Sequence, residues 1–303
     1  MTPDVERLLD GIPCLAGQER EVTLLPGGLT NTNARVRTAQ RDVVVRISSP
    51  STGLLAIDRD REVHNTAAAA EAGVGPRVVE RVPELNALVV EFIPEAKTFD
   101  DADVGAHLTS IAYAVRRLHS GPAFAGRFDM FDIQRRYLSI MAEHGWRLPE
   151  GYVDLMPEAA RMEAALARHP EPLVPCHNDL LAANFLDDGR QVWIIDYEYS
   201  GMNEASFELG NIVQEAHLSG DHLAELVTAY VGHEDPVRTA RAALWGIASA
   251  YAWTLWGTIQ AGLDEIDFDF WGWGMDKYDR AREAFAAPGF GSLIDTVASG
   301  EVR

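Results

Sequence analysis

The sequence predicts an α+β protein of two lobes, an antiparallel β-sheet lobe first and a mostly helical lobe after it. Three features predict this: β-type runs and turn signals up to Phe92, a loss of periodicity at Ile93-Pro94-Glu95-Ala96-Lys97, and apolar residues at helical spacing from Asp100 onward. The chain has 303 residues, 47% of them hydrophobic, which is enough for two lobes that share a cleft. The boundary falls after Pro94 and divides the chain into residues 1–94 and 95–303.

Within the first lobe, residues 21–47 read as β-type runs around a Pro26-Gly27-Gly28 turn, with a second turn at Ala39 to Asp42. This is an antiparallel ribbon. An alanine-rich helix is expected after Asp58, running through Glu71 and stopped by Gly73. Two more β-type runs, Arg77 to Val82 and Ala87 to Phe92, complete the lobe. In the second lobe, Leu108, Ile111, Ala112, Val115 and Leu118 share one helix face. A short β-like island, Leu173 to Cys176 and Val192 to Ile195, interrupts the helices and encloses the polar loop His177 to Arg190. Polar loops between apolar strands are frequent seats of chemistry.

Composition narrows the function. Asp and Glu number 46 against 26 Lys and Arg, a formal net charge of -20. Such a field repels phosphate backbones and anionic membrane surfaces, so no nucleic acid is expected as a partner, and it attracts small cations. Cys14 and Cys176 are the only cysteines and form no metal-ligand spacing, which suits a reducing cytoplasm. The N-terminus is acidic and lacks a signal-peptide pattern. The longest apolar stretch, Leu244 to Gly257, falls short of the roughly 20 residues that span a bilayer, so it is expected as a buried helix with no membrane insertion.

The strongest chemical signal is His177-Asn178-Asp179-Leu180-Leu181-Ala182-Ala183-Asn184, the His-x-Asp-x-x-x-x-Asn spacing of a kinase catalytic loop. Phosphoryl transfer needs an oriented hydroxyl and neutralised phosphate oxygens more than covalent help. Asp179 can orient the hydroxyl as base, and Asn184 can hold a metal. Asp196 follows the apolar Ile194-Ile195 run, where a second magnesium ligand is expected. Gly28, Thr30 and Asn31 belong to a glycine turn able to face ATP phosphates, although such turns are also plain hairpins. Arg46 stands where kinases carry a phosphate-bridging lysine, with Glu62 as its helix partner. Glu91 and Ile93 would offer hinge backbone groups to adenine, or simply form a connecting strand. These parts point to a bilobal, protein-kinase-like fold.

Beyond the general pattern, His177 to Asn184, Ile195-Asp196-Tyr197-Glu198-Tyr199-Ser200 and Trp253-Thr254-Leu255-Trp256-Gly257-Thr258-Ile259-Gln260-Ala261 together resemble the choline/ethanolamine kinase family, which shares its fold with aminoglycoside phosphotransferases. The resemblance extends through Asn203, Phe207 to Asn211 and Ile266-Asp267-Phe268. It implies ATP- and magnesium-dependent phosphorylation of a small cationic alcohol, with His177, Asp179 and Glu198 in the catalytic set and Asn184 and Asp196 on Mg2+. It also implies that Trp253, Trp256 and Trp273 enclose the ammonium head, with Glu215 nearby. Spacing supports the pair independently: Trp253 and Trp256, three apart on a helix, share a face, as core residues or as two walls of a box. The chain departs from the family at Glu208, usually Asp, and at Trp273, commonly Tyr. The expected reaction gives phosphocholine and ADP from choline, the alternatives being ethanolamine, an aminoglycoside or another small amino alcohol, or a catalytically silent cation-binding module.

Overall fold

The structure is a computed structural model, and it describes residues 3–26, 31–48, 54–55, 57–264 and 266–300, with the side chains of residues 3–5 left aside. Helix α1 (Pro3–Asp10) precedes strands β1 (Arg20–Leu24), β2 (Asn31–Thr38) and β3 (Asp42–Ser48); helix α2 (Arg59–Glu71) leads to β4 (Val78–Val82) and β5 (Ala87–Glu91). The strands form one antiparallel sheet in the order β1-β2-β3-β5-β4. Strand alternation sends Ala34, Val36, Val43, Val45 and Val89 to one face, where Leu9 of α1 and Ile12 and Leu15 after it complete a small core. Period two then puts Arg46 on the opposite face, toward the second lobe.

Helix α2 joins the lobes. Asp58 caps its first turn by accepting from the amides of Asp60 and Arg61, and Gly73, at φ +73°, ends it. Its alanine face is buried: Ala68 and Ala69 pack into the same core as Ile111, Val115 and Leu118 of the second lobe. Asn65 fixes the helix across the cleft, accepting from the Ala125 amide at 2.7 Å and donating to the Ser200 carbonyl at 3.1 Å.

The second lobe holds β6 (Lys97–Thr98), α3 (Asp101–Ala106), α4 (Leu108–His119), α5 (Met130–His144), α6 (Met156–Leu166), β7 (Leu173–Cys176), β8 (Phe185–Asp187), β9 (Val192–Ile194), β10 (Gly201–Glu204), α7 (Ala205–Glu215), α8 (Gly220–Val231), α9 (Pro236–Leu263), α10 (Phe270–Ala286) and α11 (Phe290–Ser299). Strands β6-β8-β9 form one small antiparallel sheet, and β7 pairs with β10. Central α9 is the buried helix expected around residues 244–257, and no helix among the described residues is long and apolar enough to cross a membrane.

Two glycine contacts let α9 press against the helices that carry the site. A Cβ on Gly210 of α7 would strike the Ala242 carbonyl of α9, and one on Gly257 of α9 would lie 2.9 Å from the Gly274 Cα of α10. Backbone approach of this kind leaves no room for a methyl group. Gly210→Ala is therefore expected to lower unfolding stability by about 1–3 kcal/mol or more. Gly289→Ala, at a position with open space and φ -80°, is expected to be neutral or slightly stabilising. Urea denaturation of both variants checks the difference, and equal midpoints would contradict the close crossing.

Candidate active site

The loop between β7 and β8 is shaped by buried hydrogen bonds. Asn178 takes a left-handed conformation, φ +70°, that its short polar side chain tolerates. Its Nδ2 donates to the Cys176 and Tyr199 carbonyls at 3.1 Å each, and its Oδ1 accepts from Asn203 at 2.9 Å. Glu208 on α7 reaches beneath the loop, its Oε1 accepting from the amides of His177 at 2.7 Å and Asn178 at 3.0 Å. Its Oε2 lies 2.7 Å from His119 Nε2. Burial alone would raise the Glu208 carboxyl's proton affinity, but the His119 hydrogen bond and the nearby imidazoles and amides hold it below its usual value. One turn on, Asn211 Oδ1 accepts from the Leu180 amide at 2.9 Å while its Nδ2 bonds Ser249 of α9.

His177 is fully buried, and its Nε2–H donates to the Ile195 carbonyl at 2.8 Å while Nδ1 accepts from the Asp179 amide at 3.3 Å. Burial holds its proton affinity below the ordinary histidine value. Both ring nitrogens are engaged with the backbone, so the imidazole clamps the loop that bears Asp179 to the strand end that bears Asp196.

Asp179, Asn184 and Asp196 are brought together. Asn184 donates from Nδ2 to the Asp179 carbonyl at 2.8 Å, which commits the amide nitrogen and leaves Oδ1 for a ligand. The Ile195 amide donates to the Asn184 carbonyl at 3.0 Å, and Asp196 follows at φ +74°. Arg46 binds three carboxylates at once: Asp196 at 2.5 Å, Glu198 at 2.6 Å and Glu62 at 2.9 Å. Arg59 adds contacts to Glu62 at 2.6 Å and Glu198 at 3.2 Å, and Asn31 donates to Glu198 at 3.3 Å. Glu198 Oε2 is held by two guanidinium groups and an amide, so this oxygen positions Arg46 and Arg59.

These cations leave the acid groups under-compensated. Burial first, then the charges of Glu215, Asp196 and Glu198, raise the proton affinity of Asp179 well above the ordinary aspartate value. Asp196 is raised too, by burial first, with Arg46 opposing and Glu198 and Glu62 adding. A site of carboxylate and amide oxygens with surplus negative charge suits a hard divalent cation such as Mg2+, and Asn184 Oδ1 and Asp196 are the oxygen donors available to it.

On the nucleotide side, the Glu91 amide is taken by the Arg77 carbonyl at 2.8 Å and the Phe92 amide by Asp42 at 3.1 Å. The ladder ends there, and the Ile93 amide has no acceptor among the described residues. Of the two groups proposed for the hinge, Ile93 thus keeps its donor free, whereas Glu91 has only its carbonyl to offer. Gly28 and Thr30 lie outside the described residues.

Trp253 and Trp256 of α9 and Trp273 of α10 form an aromatic cluster, in which the first two belong to the buried core around α9 and Trp273 packs against it. Trp253 and Trp256 are 3% and 7% exposed, and both face Tyr199: Trp253 stacks edge-on at 4.9 Å, and Trp256 donates from Nε1 to the Tyr199 hydroxyl at 2.8 Å. Trp273 lies 5.0 Å from Trp256 and is less buried. A cavity of about 250 Å³ between the lobes has Glu198, Tyr199 and Phe128 in its wall. On the other side, an open groove between Asp100-Asp101 and Leu181-Ala182-Ala183 has Glu215 in its wall. Glu215 is buried and bonded to Lys277 at 2.5 Å.

Sequence reasoning missed Tyr199 and Lys277. Tyr199 stands only three residues after Asp196, and Lys277 four after Trp273, a helical i,i+4 spacing that pointed to a shared face.

Residues 22–234 match the profile of the choline/ethanolamine kinase family. The solved choline/ethanolamine kinase family protein of Mesorhizobium loti is 33% identical, covers 98% of this chain and 99% of its own, and superposes with a TM-score of 0.86. Mouse ethanolamine kinase 1 is 28% identical over 310 residues, covering 86% of this chain and 83% of that protein. The structure of choline kinase LicA from Streptococcus pneumoniae is 25% identical with a TM-score of 0.75, over 88% of this chain and 93% of that one, and another LicA structure is a complex with AMP. The chain adopts the bilobal protein-kinase-like fold and belongs to the choline/ethanolamine kinase family, phosphotransferases whose acceptor is an alcohol group.

Proposed function

We propose that this enzyme transfers the γ-phosphoryl group of ATP to the hydroxyl of choline, giving phosphocholine and ADP, with Mg2+ held by Asn184 and Asp196. The observation that carries the reading is the position of Asp179: a carboxylate of raised proton affinity joined to Asn184 through its carbonyl and acted on by the charges of Asp196 and Glu198 and of the Glu215–Lys277 pair, whose Nζ lies over the Trp273 ring. Asp179 accepts the proton of the acceptor hydroxyl as its oxygen bonds the γ-phosphorus, and the bond from that phosphorus to the bridging oxygen breaks to release ADP. Arg46 lies close enough to Asp196 to neutralise phosphate oxygens beside it. Bound magnesium would neutralise charge on the transferring phosphate. Adenine would meet the Ile93 amide.

Choline is favoured over the other alcohols because the half-buried Trp273 and the cavity-lining Tyr199 are backed by Trp256, and a quaternary ammonium, which has no N–H, is recognised by ring faces. Ethanolamine is the second reading, favoured by Glu215, whose Oε1 has no hydrogen-bond partner among the described residues. The reading puts the enzyme in the cytoplasm, where ATP is abundant and where the free thiols Cys14 and Cys176 are stable.

Asp179→Asn is expected to lower kcat by about 10²- to 10⁴-fold with the thermal midpoint preserved, since an amide cannot take the proton. A coupled ADP assay reads it, and retention of most turnover would remove Asp179 as base. Asp196→Asn is expected to raise the magnesium concentration needed for half-maximal rate, measured by Mg2+ titration at fixed ATP. An unchanged titration would move the metal elsewhere. Trp256→Ala is expected to raise the KM for choline roughly 2- to 30-fold, in line with the about 0.5 to 2 kcal/mol a cation gains from one ring, and to affect ethanolamine less. Equal effects on both alcohols would take the ring out of the acceptor site.

A further inference from the structure

The site proposed for the substrate ammonium already contains an ammonium from the protein itself. Lys277 is 3% exposed, its Nζ lies 2.5 Å from Glu215 Oε2, and the same Nζ sits 4.3 Å from the centroid of the Trp273 ring. A carboxylate on one side and an indole face on the other are the two groups that recognise a cation. Here a side chain four residues along α10 from Trp273 meets both. The helix is tethered in this position: the Tyr278 hydroxyl donates to the Glu150 carbonyl at 2.8 Å, and Arg280 donates to the Gln214 carbonyl of α7, next to Glu215.

We infer that Lys277 is a specificity-determining residue of the acceptor site: by taking Glu215 Oε2 it leaves only Oε1 to ammonium groups that carry N–H, whereas a quaternary group, which needs no acceptor, is not disadvantaged. The inference rests on the reading that Trp256, Trp273 and Glu215 border the acceptor.

Two electrostatic effects separate cleanly. Repulsion by the Lys277 charge acts on any cationic head and cancels in a comparison of choline with ethanolamine. Loss of a hydrogen-bond acceptor does not cancel. A primary ammonium that leaves water needs acceptors for its three N–H groups, and with Glu215 Oε2 taken by Lys277 only Oε1 of that carboxylate is left to it. A trimethylammonium group gives up no hydrogen bond when it enters and loses nothing by that engagement.

The test is steady-state kinetics with choline and with ethanolamine for the unaltered enzyme, Lys277→Met, Lys277→Gln and the double variant Lys277→Met/Glu215→Gln, each checked by thermal melting. Lys277→Met is expected to raise the ethanolamine-to-choline ratio of kcat/KM at least about tenfold, because a hydrogen bond to a charged acceptor becomes available to one substrate only. Lys277→Gln shifts the ratio in the same direction, and the double variant loses the gain. Ratios within twofold of the unaltered enzyme in a folded single variant would overturn the inference, as would a failure of both single variants to fold, which would make the lysine a structural partner of Glu215. An unaltered enzyme that phosphorylates neither alcohol would instead refute the proposed acceptor, a result the ratio cannot mimic.

Discussion

One buried arginine governs the cleft. Arg46 holds Asp196, Glu198 and Glu62 within 2.9 Å, joining a strand of the first lobe, its helix and the strand end of the second. Taking this many charges out of water is costly, and removing one partner from such a cluster typically costs about 3–5 kcal/mol because the remaining charges are left uncompensated. The cluster is also unbalanced in the direction the chemistry needs. Asp179 and Asp196 bind protons more tightly than free aspartates do, and bringing positive charge among them relieves that strain. Affinity for a metal-nucleotide complex and a base for an alcohol thus arise from the same excess of carboxylate.

The precision of the loop comes from buried side-chain amides and one carboxylate bonded to its backbone. Asn178, Asn203, Asn211 and Glu208 are all buried, and between them they fix the backbone of residues 176–180. Each would be destabilising in a core without its partners; fully satisfied, they specify one conformation. Their placement depends in turn on how closely α7, α9 and α10 approach, which Gly210, Gly257 and Gly274 permit. A sequence feature with no chemistry of its own, the absence of a methyl group, decides where Glu215 and Lys277 meet.

Much of this was legible before any coordinates. The strand and helix signals of the first lobe fall where β2, β3, α2, β4 and β5 are found, because local pattern and tertiary burial agree there, whereas the Gly27-Gly28 turn lies outside the described residues. The same holds for the buried stripe of α4. The spacing of Asp179, Asn184 and Asp196 foretold their proximity, since a hairpin of β8 and β9 has only one way to return the chain to the loop. Helix α1 escaped notice: its apolar contribution to the sheet lies in Leu9 and in residues beyond its end, too few for a periodic signal. The hydrogen bonds of His177 and Glu198 were not legible, because spacing shows which residues converge and not which of their atoms are already bonded. For the same reason Glu215 read as an acidic residue near the ammonium head with no sign of its partner, a lysine 62 residues away that bonds its Oε2.

The most direct test of the account is the structure of the enzyme with Mg2+, a non-hydrolysable ATP analogue and choline. It should show the metal at about 2.1 Å from Asn184 Oδ1 and an Asp196 oxygen. The choline hydroxyl should lie about 2.6–3.2 Å from the Asp179 carboxylate, with the trimethylammonium group against the tryptophans. A metal bound away from these two residues, or a hydroxyl out of reach of Asp179, would contradict it.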